Sequence, residues 1–185
     1  MPAPKPRRAT DHGMSRSSFY RQARAGSYEK ISRGLYLPAD ADAADWDWLE
    51  AASRHAHSTI CLTSALAHHD LTDDIPVALD IAIPRGARAP ATTGAIRWHH
   101  FDTETFDLGR DEIRIPGSTL SIGLYSPERC IADAFRLRGN YGYELGRSAL
   151  REWLRRGGKP ADLMAIAAKL PRARGPILQT LEAFT

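Results

Sequence analysis

The chain has 185 residues, 43% of them hydrophobic, which allows one or two compact domains with real cores, and nothing in its composition suggests disorder beyond the first residues. No stretch approaches the ~18 unbroken apolar residues of a membrane span, and MPAPKPRRATDHG has no apolar segment suited to a signal peptide, so a cytoplasmic protein is expected. The net charge of +3 conceals three zones: residues 1–38 carry eight Lys/Arg against two acids, 39–127 six against fourteen, and 128–185 eleven against six. Basic ends around an acidic middle point to a polyanionic partner for the basic parts.

In chain order, PAPKPRR (2–8) reads as an extended, mobile basic arm, because its alternating prolines forbid helix. A short helical element over 9–12 ends at Gly13. Ser15 suits an N-cap for a helix through Ala25 that Gly26 closes, with Phe19 and Ala23 as its buried stripe and Met14 as a staple. Tyr28–Ile31 and Leu35–Leu37 form a hairpin over Ser32-Arg33-Gly34. The acidic, alanine-rich run 39–44 is a linker, dividing a head (1–40) from a second domain (45–185).

Helices are expected over 46–56 and 63–69, then strands over 77–83, 96–101, 112–115 and 119–124. Val77, Leu79, Ile81 and Ile83 alternate in the first of these strands. Ser126-Pro127, an N-cap followed by proline at N1, opens a helix through Leu137. Further helices follow over 143–156, 160–170 and 175–184. The fold class is α+β: a shortened winged helix-turn-helix, then a mixed α/β domain with a helical C-terminal part.

The head has the parts of a nucleic-acid reader. A tight turn at Gly13-Met14 precedes a polar helix start, and Tyr20, Arg21 and Arg24 share one helical face. Arginine forks suit guanine edges, while serine and tyrosine hydroxyls suit phosphates. The hairpin adds Lys30 and Arg33 as a basic wing, and Lys5, Arg7 and Arg8 of the arm suit a minor groove. The plainer alternative is a solvated basic helix face.

GMSRSSFYRQARAGSYEKISRGLYLP resembles the second half of the winged head that opens AbiEi-type antitoxins. LTSALAHHDLTDDIPVALDIAIPRGARAP and LYSPERCIADAFRLR, followed by ALREWLRRG, resemble the central and C-terminal blocks of the same family, so the likeness covers most of residues 13–160. It implies a bacterial antitoxin, connected with phage defence, that neutralises a cognate nucleotidyltransferase-like toxin and represses its own operon by binding operator DNA. Matched by position, DNA contacts fall on Arg16, Ser17, Ser18, Tyr20, Arg21, Arg24, Lys30 and Arg33. Arg7 and Arg8 of the arm join them from the residue reading. Only fourteen residues precede Ser15, where the family has a complete first helix. The brace for the reading helix is therefore expected from the second domain or from a homodimer partner. Two alternatives stay open: a protein-binding antitoxin that does not touch DNA, and an enzyme that modifies the toxin by phosphotransfer.

No cofactor, metal or catalytic residue is expected. There is no GxxxxGK[ST] loop, GxSxG elbow or HExxH spacing. The pairs His55/His57, His68-His69 and His99-His100 diverge on a regular element, and His68 and His69 suit the negative end of their helix. Gly117-Ser118 lacks the downstream aspartates of a nucleotidyltransferase, and Asp73-Asp74 reads as a solvated turn. Ser64 and Ser126 suit helix starts better than nucleophilic roles. Cys61 and Cys130 read as reduced, buried thiols. Arg129, Arg136, Arg138, Arg147, Arg151, Arg155 and Arg156 make the C-terminal helices basic and are expected to be mostly solvated.

Overall fold

The computed structural model describes residues 7–8, 14–32, 35–39, 46–116 and 118–184. They form an α+β protein with two separate hydrophobic cores, a small one in the N-terminal head and a large one in the body. The predicted 9–12 helix, most of the predicted linker, and Arg33 at the hairpin turn lie outside the described residues.

The head consists of β1 (Arg7–Arg8), α1 (Arg16–Arg24), β2 (Tyr28–Ser32) and β3 (Leu35–Pro38). Its strands form an antiparallel sheet in the order β1-β3-β2. The expected free arm is corrected at this point: Arg7 stands opposite Tyr36 and Arg8 opposite Leu35, so the arm adds an edge strand to the hairpin. Backbone polar groups of β3 that would otherwise face solvent are satisfied by that pairing.

The body opens with α2 (Trp46–Arg54), β4 (Thr59–Ile60), α3 (Leu62–His68), β5 (Leu79–Pro84), β6 (Ile96–Phe101), β7 (Arg110–Arg114) and β8 (Ser121–Tyr125). The five strands make one mixed sheet in the order β6-β5-β4-β8-β7. Its central strand, β4, was not expected. Two residues carry no periodicity, yet Thr59 and Ile60 pair antiparallel with Ala82 and Ile81 and parallel with Gly123 and Leu124. The strand expected over 77–83 starts at Leu79, and Ile81, Ala82 and Ile83 are all buried, so both its faces are covered.

The helical layer comprises α4 (Pro127–Arg136), α5 (Arg138–Tyr141), α6 (Tyr143–Arg155), α7 (Pro160–Ala167) and α8 (Arg174–Glu182). α4 lies at its centre, packed against α3, α6, α7 and α8. The Ser126 hydroxyl caps it, accepting from Arg129 N at 3.3 Å, with Pro127 at its first turn as the sequence implies. The helix stops one residue early, and Arg138 begins the short α5 rather than continuing the α4 face.

Arg129 corrects the expectation of a solvated basic helix. Its side chain is fully buried, its Nε donates to Asp133 Oδ2 at 2.9 Å, and its Nη1 donates to the carbonyls of Thr105 and Leu108 at 2.6 and 2.7 Å. The guanidinium carbon lies 4.4 Å from the Tyr125 ring centre and 5.6 Å from that of Phe101. Arg129 thus ties the 105–108 segment to α4, and the Tyr125 hydroxyl helps by donating to Phe106 O at 2.8 Å.

A second buried charge joins α2 to the connection between β5 and β6. The Glu50 carboxylate accepts from Thr93 N at 3.0 Å, from Thr93 Oγ1 at 3.3 Å and from Gly94 N at 2.8 Å. Gly94 sits close to α2: a Cβ there would lie 2.0 Å from Asp47 Oδ1, and that carboxylate would have to turn aside.

Candidate nucleic-acid interface

α1 begins where Ser15 Oγ accepts from Ser18 N at 3.2 Å, and it ends at Ala25, before Gly26 with φ +84. Phe19 is fully buried against Tyr36, Tyr28, Met14 and Ala23, with ring centres 4.9 Å from both tyrosines. That anchor fixes which way the helix faces. At ~100° per residue, Arg16, Ser17, Tyr20, Arg21 and Arg24 fall within an arc of roughly 140° on the outer side. All five are exposed.

No carboxylate interrupts this helix, and among the described residues no salt bridge engages Arg16, Arg21 or Arg24. The face is therefore an unneutralised cationic strip with one aromatic side chain in it. Tyr20 lies edge-on to the rings of Phe19 and Tyr36, which limits its movement. Burial, with Tyr20 beside it, pushes the Tyr36 hydroxyl above its usual value, so it remains a neutral phenol.

The other expected contacts sit differently. Ser18 is half-buried, and its backbone N–H is taken by the cap. Lys30 is exposed but lines a cleft of about 280 Å³ between head and body, opposite Trp46, Asp47 and Glu50. It thus stands at the seam rather than beside the α1 strip. Arg7 and Arg8 are held by β3 at the opposite edge of the head sheet. Helical spacing alone brings the α1 residues together, which is why they were legible in sequence.

Several histidines bond to backbone groups, some of them distant in sequence. His69 Nε2 lies 2.8 Å from Tyr125 O, and His100 Nε2 lies 3.0 Å from Ala87 O. His57 N donates to His55 Nδ1 at 3.2 Å. No group of three or more His, Cys, Asp or Glu among the described residues is arranged to hold a metal ion. One polar cluster had no sequence signal. Buried Asp80 on β5 holds His99 at 2.8 Å and Arg97 at 3.4 Å, both on β6, while the Tyr141 hydroxyl of α5 is 3.4 Å from His99 Nδ1. Its members lie up to 61 residues apart in sequence, from Asp80 to Tyr141.

Asp73 and Asp74 are exposed, and Thr72 Oγ1 accepts from Asp74 N at 3.2 Å, a local turn. Of the remaining arginines, Arg155 and Arg156 clamp Glu152 at 2.6 Å each and pull its carboxyl down to about 2. No helix among the described residues is long and apolar enough to cross a membrane. No family model matches the chain, and no curated protein matches it.

Proposed function

We propose that the protein is a DNA-binding antitoxin: its head represses its own operon, and its body neutralises a nucleotidyltransferase-like toxin by binding it. The observation that carries the DNA half is the outer face of α1, where Arg16, Arg21 and Arg24 stand exposed without an acidic partner among the described residues. A helix followed by a hairpin, with a third strand on the hairpin's edge, supports the winged reading of the head. The antitoxin half rests on the resemblance of the SPERCIAD and IAIPRG blocks to the AbiEi-type family.

On this reading the arginine strip neutralises phosphates and releases counterions, which draws the head to any DNA duplex. Specificity then comes from arginine forks on guanine edges, with Ser17 and Tyr20 positioning the helix on the backbone. The head has two supports: β1 along the sheet edge, and the body, whose α2 packs against β2.

The test is fluorescence anisotropy with the DNA upstream of the protein's own reading frame, across a salt series. The wild type should bind with a steep dependence of log K on log salt. Arg21→Ala/Arg24→Ala should weaken binding and flatten the slope by about 2, as loss of two phosphate contacts requires. Absence of binding at low salt removes the DNA half of the proposal.

A further inference from the structure

The segment between α3 and β5 exposes apolar side chains where a folded body would be expected to hide them. Ile75 is 91% exposed and Val77 86%, flanking Pro76 in an irregular stretch that begins with the exposed acids Asp73 and Asp74. Beside it lies a pocket of about 290 Å³ lined by Trp48, Pro76, Val77 and Leu79 together with the polar Asp47, Ser64 and His68. Exposed aliphatic residues next to a concave apolar pocket mark a docking surface rather than a solvated loop.

The same chain carries the complementary surface. The α1 face has an apolar centre, Tyr20 at 45% exposure, surrounded by Arg16, Arg21 and Arg24. One face is an aromatic side chain flanked by cations; the other is the exposed Ile75-Pro76-Val77 stretch preceded by two acids, which line a neighbouring cleft where Asp70, Asp73, Asp74, Glu144 and Glu152 outnumber Arg151, Arg155 and Arg156. We propose that the α1 face of one copy docks on the Asp73–Val77 strap of a second copy, Tyr20 entering the pocket and the arginines pairing with Asp73 and Asp74. The contact is heterologous, joining different surfaces of two identical chains. Because it uses the face assigned to DNA above, and so rests on that reading for its consequence, self-association and DNA binding exclude each other. The protein would thus carry its own salt-sensitive inhibitor of operator binding.

Sedimentation without DNA tests the contact independently of any DNA activity. At low salt the weight-average mass should rise above the 20.4 kDa of one chain as concentration increases, and high salt should return it to that value. Arg21→Glu/Arg24→Glu and Asp73→Arg/Asp74→Arg should each weaken association at least tenfold, and an equimolar mixture of the two variants should restore it. Ile75→Ser, which alters a fully solvated side chain and leaves the core alone, should weaken association without changing DNA affinity measured at concentrations where the protein is monomeric. A constant mass of one chain at low salt overturns the proposal, as does association that both charge reversals leave unchanged or that the mixture does not restore. Failure of DNA binding alone would remove the operator reading and leave the self-contact standing.

Discussion

Arg129 and Asp133 face each other inside the protein, Nε to Oδ2 at 2.9 Å, and neither side chain is exposed to solvent. One turn of α4 brings them into register, and the same guanidinium also supports the 105–108 segment. Arg136 pairs with the other oxygen of Asp133, so removing Arg129 leaves the buried carboxylate with one cation instead of two; breaking a buried pair typically costs ~3–5 kcal/mol. Arg129→Met should therefore destabilise the fold by about that much in urea unfolding. Arg129→Met/Asp133→Leu should recover part of the loss, since the buried carboxylate goes with its partner and Arg136, at 13% exposure, can turn its charge towards water. A double variant as unstable as the single one would mean that the bonds to Thr105 and Leu108 carry most of the effect.

Glu50 provides a different kind of lock, a carboxylate closed by backbone donors. Glu50→Ala leaves the N–H groups of Thr93 and Gly94 without that acceptor, and each unmade buried bond costs ~1–3 kcal/mol. A loss of about 3 kcal/mol is expected. Gly94→Ala should cost less, because the Asp47 carboxylate that its Cβ would meet is a side-chain end that can turn aside. Amide exchange should show the damage first in residues 85–95. Uniform exchange throughout the body would contradict this assignment.

In the head, one side chain holds most of the core. Phe19→Ala should cost ~3–5 kcal/mol, more than so small a core can absorb. Amides of residues 15–32 should then lose protection while those of the body keep theirs, because the two cores share no buried residue. Equal loss in both parts would show that head and body fold as one cooperative unit.

The two thiols should be inert. Burial pushes both Cys61 and Cys130 well above the usual thiol value, Asp133 adds to the effect at each, and both are free cysteines. A disulfide-exchange reagent should label neither in the native protein and both in denaturant. Rapid labelling under native conditions would disprove their placement.

Glu152 fixes the sign of one acid-range effect. Hydrogen bonds from Arg155 and Arg156 lower its carboxyl to about 2 in the folded protein. Since the folded value lies below the unfolded one, its stabilising contribution is complete above the ordinary carboxylate range and is lost as pH falls towards about 2. The side-chain carboxyl resonance should titrate near pH 2, and Arg156→Ala should move the midpoint up. Glu152→Gln should be less stable than the wild type at neutral pH, the difference vanishing at the acid end.

Local chemistry settled much of the protein. Ser15 and Ser126 cap α1 and α4 as their hydroxyls dictate, and the Phe19–Ala23 spacing turns the arginines of α1 outward. Strands β5 to β8 lie within a few residues of their expected bounds. These features depend on neighbours within a turn or two, so the order of residues is enough to specify them. Burial and long-range pairing are different. β4 is central because Ile81 and Leu124, far away in sequence, lie on either side of Ile60. Arg129 became a core residue, Arg7 and Arg8 an edge strand, and Asp80, His99 and Tyr141 one cluster only when the sheet and helices closed around them. Ile75 and Val77 carry the opposite outcome: apolar by composition, they stay exposed because no described residue covers them. The sequence by itself determined the longer helices, the strands β5 to β8 and the shared face of the α1 arginines, since those follow from short-range sterics and spacing, whereas the short β1, β4 and α5 did not show in it. Only the tertiary structure decided which charges are hidden and which apolar side chains are left exposed, because both depend on residues brought together from distant parts of the chain.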